Sequence, residues 1–160
     1  MNRTFIALVS FIALNSAQAL AAGLCVNKDM TALRDAPSSD ANITWKVPKY
    51  MPLKPTGKAS GNWIESIDVD GEKHWVKKQD VSSKLNCIVV RVGQATLRTG
   101  PGDKFGRAPS GFADRYSTFL DHGGEDGWTQ ITSVSGEKSW ISMDTIWKPS
   151  VTMKMKFEDP

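Results

Sequence analysis

The chain has 160 residues, with 20 Lys and Arg against 17 Asp and Glu, a net charge of +3 and two cysteines. So weak a balance, not gathered into a basic stripe, excludes a nucleic-acid binder built on phosphate contacts. The length allows one domain or two small ones, and no apolar run approaches the about 20 residues that a membrane span needs.

The N-terminus reads Met1-Asn2-Arg3, then an apolar run from Phe5 to Leu14, then Gln18-Ala19-Leu20-Ala21-Ala22. A charged start, an apolar middle and a small-residue zone predict a secretory signal peptide over residues 1–22, with Ala19, Ala21 or Ala22 at the cut. The mature chain is expected in the periplasm or secreted, soluble, with no membrane insertion after signal cleavage. Cys25 follows closely, but Leu24 before it is too large for a bacterial lipidation signal, so no lipid anchor is expected. Loss of Arg3 leaves a net charge of +2.

Beyond the signal the chain is written twice. Trp63, Gly71, Glu72, Lys73 and Trp75 recur as Trp128, Gly136, Glu137, Lys138 and Trp140, and Leu33-Arg34 through Pro37 recurs as Leu97-Arg98 through Pro101. In the first copy, Trp63 to Val69 is rich in aromatic and β-branched residues, and Asp70-Gly71 supplies the positive-φ positions of a tight hairpin turn before Trp75-Val76. Ser135-Gly136 serves the second copy in the same way. The Lys-Pro and Met-Pro steps between Lys46 and Pro55 argue against a helix or a central strand there, leaving loop or edge structure. With no apolar period of 3.6 over three turns, the fold class is all-β.

Leu97-Arg98-Thr99-Gly100-Pro101-Gly102, then Gly127-Trp128, then Ser139-Trp140-Ile141 resembles the bacterial SH3-like domain, whose pattern runs Leu/Val-Arg-Ser-Gly-Pro, Gly-Trp and Gly-Trp-Val. The first copy departs from it with Asp35-Ala36-Pro37 and Asn62-Trp63. The resemblance spans residues 28–147 and implies two small SH3-like β-barrels in tandem, residues 25–86 and 87–148. The tail, 149–160, alternates apolar and polar from Val151 to Phe157, which predicts an edge strand sealing the second unit.

Two cysteines in an exported chain favour a Cys25–Cys87 disulfide. Since the first and last strands of an SH3-like domain lie side by side, Cys25 at the start of unit 1 and Cys87 just after its last strand would close that unit like a clasp.

No motif adds catalytic chemistry, and a non-enzymatic protein without cofactor or metal is expected. Asp121-His122-Gly-Gly-Glu125-Asp126 lacks the ligand set of a zinc or calcium site and reads as an exposed turn. His74 stands where unit 2 has Ser139 and is read as a surface residue. Gly100 to Gly106 opens no helix, so it is a turn loop rather than a phosphate cradle.

Aromatics remain. If aliphatics such as Ile131 and Ile141 fill the core, Trp128 and Trp140 face outward. The candidate ligand-binding residues are Trp45, Tyr50, Trp63, Trp75, Phe105, Phe112, Tyr116, Trp128 and Trp140, lining grooves of the kind that take extended peptides. The expected partners are peptidoglycan stem peptides or an envelope protein. The alternative is a structural or inhibitory partner of one exported protein, without cell-wall affinity.

Overall fold

The computed structural model describes residues 23–149. The signal peptide and the tail strand at 151–157 lie outside the described residues. The first sheet comprises β1 (Leu24–Val26), β2 (Met30–Arg34), β3 (Ile43–Pro48), β4 (Pro52–Ser60), β5 (Trp63–Ile67), β6 (Lys73–Lys77) and β7 (Val81–Ser82). The second comprises β8 (Cys87–Val90), β9 (Gln94–Arg98), β10 (Arg107–Asp114), β11 (Thr118–Glu125), β12 (Trp128–Thr132), β13 (Lys138–Ser142) and β14 (Ile146–Trp147). The strand order is β3-β2-β6-β5-β4-β1-β7 in one and β10-β9-β13-β12-β11-β8-β14 in the other, the same path twice. The chain is therefore all-β, two small β-domains in tandem, and β1 does lie beside β7, with Val26 opposite Val81.

Alternation along the strands builds each core. Leu33, Val47, Val76 and Leu53 are buried in the first unit, and Leu97, Ile131, Ile141 and Ile88 in the second. Each such side chain contributes about 1.5–3 kcal/mol on leaving water. Val89 of β8 is buried with the first unit's core, so the two cores meet across the joint.

The β5–β6 hairpin runs from Trp63 opposite Lys77 to Ile67 opposite Lys73. Its turn is not the two-residue type expected. Only Gly71 has positive φ (87°), and its N–H donates to the Asp68 carbonyl. The loop is thus a turn closed by a left-handed glycine, which lengthens it enough for the Asp68 carboxylate to accept the N–H groups of Asp70 and Glu72, each at 2.9 Å. Gly136 (φ 89°) and Ser133 repeat the arrangement.

One expectation needs correction. The proline-rich stretch was expected to be edge or loop. β3 is an edge strand, but β4 lies inside its sheet, between β5 and β1. Pro52 is its first residue and Pro55 stands where the register with β5 breaks, so neither missing N–H interrupts a ladder. The Cys25–Cys87 bond is present, with Cα atoms 5.8 Å apart. As expected, Cys87 follows β7, and the bond closes the loop around unit 1; because Cys87 opens β8 and pairs with Leu120 of β11, it also fastens the first strand of one unit to the first strand of the other.

The joint is completed by polar contacts. Arg115 and the Tyr116 hydroxyl both donate to the Asp70 carboxylate, at 2.6 and 2.9 Å, and the Thr118 hydroxyl donates to the Lys49 carbonyl at 2.6 Å. The Tyr116 ring meets Trp45 edge-on, centroids 5.2 Å apart. The described ends also meet: a Cβ on Gly23 would stand 2.9 Å from the Cβ of Pro149.

Candidate functional site

The two sheets present corresponding clefts that differ in what fills them. Register fixes the correspondence. Tyr50 and Tyr116 both have positive φ (68° and 70°) and donate their N–H to Val26 and Val90, so the residues after them, Met51 and Ser117, also correspond. Ser66 pairs with His74 as Ile131 pairs with Ser139. Ala32 pairs with Lys46 as Thr96 pairs with Phe112, which places Gly111 where unit 1 has Trp45 and Ser110 where it has Thr44.

In the first unit the cleft, about 250 Å³, is walled by Thr44, Trp45, Asp68, Asp70, His74 and Tyr116. His74 is only 7% exposed. Its Nε2 lies 2.9 Å from an Asp68 carboxylate oxygen and its Nδ1 2.7 Å from the Thr44 hydroxyl. With a carboxylate at Nε2, that nitrogen carries the proton and Nδ1 accepts from Thr44, so every group in the network is satisfied. The expectation of a surface histidine is corrected: on β6, His74 lies two residues before buried Val76 and so shares its inward face. Above the network, Asp70 holds Arg115 and Tyr116 of the second unit; its hydrogen bond keeps the Arg115 guanidinium pKa above its ordinary value.

Smaller residues line the corresponding cleft of the second unit, about 220 Å³. Ser133 and Ser139 replace the acid and the imidazole, Ser117 replaces buried Met51, and Ala113 stands opposite Ala95 where Val47 stands opposite Thr31. Leu97 and Phe119 form an apolar floor, and Glu137 lies at the rim with Phe112.

Residues 27–83 match the family model of the bacterial SH3 domain. The matched segment carries the acid side of the joint, Asp68 and Asp70, with Trp45 and His74. No curated protein matches the chain. Among solved structures, the chain is similar to NlpC2 from Trichomonas vaginalis at 11% identity, covering 79% of this chain and 47% of that one, with a TM-score of 0.35. It is also similar to NlpC1 from Trichomonas vaginalis at 12% identity, covering 87% of this chain and 50% of that one, with a TM-score of 0.33. The chain spans about half the length of each.

The candidate aromatics are distributed around both units rather than gathered into one groove. Trp45 and Tyr116 meet at the first unit's cleft. Tyr50 lies under the Lys49 ammonium at 5.5 Å. Trp63 is 8% exposed beneath Lys77, beside a separate 330 Å³ cleft with Asn62 and Gln79. Trp75 and Trp140, both half-buried, stand opposite Arg34 and Arg98 in register. Trp128 is half-buried on the outer face of β12 while Thr129 and Ile131 point inward. Phe105 packs so tightly on Gly100 that a Cβ there would lie 2.4 Å from its ring. Phe112 is 41% exposed under the Arg107 guanidinium at 4.5 Å.

A cleft of about 610 Å³ lies beside the disulfide, with Asp121, His122 and Lys148 on its wall. The expected exposed turn at 121–126 is instead mostly strand β11, and the turn proper is Asp126–Gly127, both at positive φ. Burial alone would push the Asp121 carboxyl up, but hydrogen bonds from Thr129, Lys148 and the Gly123 N–H hold it below the ordinary carboxylate value.

Proposed function

We propose that the protein is a non-enzymatic binding module of the bacterial cell envelope, contacting peptidoglycan stem peptides or an envelope protein through its clefts. The observation that carries this reading is the bacterial SH3 match joined to a pair of corresponding clefts, each with an aromatic ring and a carboxylate and neither lined by Lys or Arg. A disulfide between units suits an oxidising compartment. Sedimentation of the full chain with purified peptidoglycan tests it. Cleft binding persists at 1 M salt, where the Debye length is about 3 Å, and weakens in Phe112→Ala, whose ring is exposed and outside the joint. Binding that vanishes in salt, or that ignores Phe112→Ala, points to adsorption and rejects the cleft.

The Thr44–His74–Asp68 chain favours a second reading, nucleophilic catalysis at the Thr44 hydroxyl, because hydroxyl, imidazole and carboxylate are connected in that order. Covalent labelling of Thr44 by a fluorophosphonate would establish it; an unlabelled protein is the outcome expected of a purely structural network.

A further inference from the structure

The second unit's cleft retains polar groups that the protein itself leaves unused. Ser139 is only 4% exposed and lines this cleft, yet its hydroxyl makes no hydrogen bond among the described residues. Its counterpart His74 uses both ring nitrogens. Ser117, which also lines the cleft, likewise has no side-chain partner among the described residues. The Ser139 oxygen is not sealed from solvent, so it faces the cleft and is free to accept from a ligand there. At the rim the Glu137 carboxylate is held in place by the Ser110 N–H, at 3.1 Å, and by the Ser110 hydroxyl. Asp114 adds a second acid, and no Lys or Arg lines the space.

We propose that this cleft is a binding site for a primary ammonium group carried on a single amino-acid-sized residue. An ammonium has three donors and no acceptor, which matches a carboxylate and hydroxyl oxygens that can accept. The methylene stem behind it packs on Leu97 and Phe119, as long cationic side chains bury their stems while the head stays polar. At about 220 Å³ the cleft is below the about 300–1,000 Å³ of sites for larger ligands, so it takes one residue and not an extended segment. The first unit's cleft is the comparison within the same molecule: it has similar volume, but its imidazole and carboxylate are already paired with each other and with Thr44, and Tyr116 stands on its wall. This deepens the binding-module reading and rests on it.

The test is an amide-resolved NMR titration of the full chain with Nα-acetyl-lysine methylamide, alaninamide and glucosamine, which carry the ammonium on a side chain, a main chain and a sugar. At least one probe gives saturable shifts at Glu137 and Ser139, and acetylating its amine abolishes them. Glu137→Gln, a rim change checked for an unchanged melting curve, weakens binding at least about tenfold, as expected for losing a charged hydrogen-bond partner. Ser117→Met, which installs the first unit's residue, blocks the cleft. Three results overturn the proposal: no saturation by any probe, equal binding of an acetylated probe, or shifts centred on Asp68 and His74. Peptidoglycan sedimentation that persists unchanged in Glu137→Gln would also overturn it while sparing the module reading. Saturable amine binding without sedimentation would leave the proposal standing and overturn only the peptidoglycan form of the module reading.

Discussion

His74 and Asp68 form a pair that is costly to break by halves. Replacing His74 by Leu leaves the Asp68 carboxylate, 4% exposed, without its main side-chain partner. Urea unfolding is expected to show a loss of about 2–4 kcal/mol. Installing the second unit's solution, Asp68→Ser with His74→Ser, costs less than the two single changes summed, because no charge is left stranded. Asp121 carries a pH dependence instead. Its folded pKa is depressed, so its stabilising contribution is complete above the unfolded carboxylate value of about 3.9 and is lost as pH falls through the lower folded value. Thermal melts between pH 7 and pH 2 should show Asp121→Asn less stable than the parent at pH 7 and the two curves converging in acid. Both groups were hard to read in the sequence. His74 stands opposite a serine in the repeat, which made it look dispensable, and its partner lies across a turn whose length is set by Gly71. The aromatic positions were legible as residues but not as a site, since only Trp45 and Tyr116 meet, and they do so from different units.

At the scale of strands, the repeat offset made the β5–β6 and β12–β13 hairpins legible, because Gly71 and Gly136 punctuate two matching aromatic runs. The central position of β4 was not legible. Proline tolerance there depends on a register break between Pro55 and Ala59, a property of pairing that composition does not record. The corresponding strand β11 breaks register between Asp121 and Gly124, and there the backbones come very close. A Cβ on Gly124 would lie 1.9 Å from the Trp128 carbonyl oxygen and 2.6 Å from the Thr129 Cα. Gly124→Ala is therefore expected to push β11 from β12 and destabilise by at least about 1–3 kcal/mol. Gly93→Ala, with open space around its Cβ, is the matched control and should melt close to the parent.

Across the whole molecule, the disulfide and the Asp70 clip act on the same joint from different places. In the chain-entropy view, closing the 62-residue loop is worth about 4 kcal/mol. Cys25→Ser with Cys87→Ser should lower the unfolding free energy by a comparable amount, and should make Arg115→Ala more damaging than it is in the oxidised protein, since only non-covalent contacts then hold the joint. The placement of the bond has a mechanical result as well. A pull applied at Gly23 and Pro149 reaches Cys25 almost at once and crosses the sulfurs directly to Cys87, so every residue from 26 to 86 hangs outside the line of tension. The second unit bears the load, and the first rides on it unstretched. In a force-extension trace the oxidised protein should yield only the length of its second unit, and adding reductant should release about 20 nm of previously hidden chain.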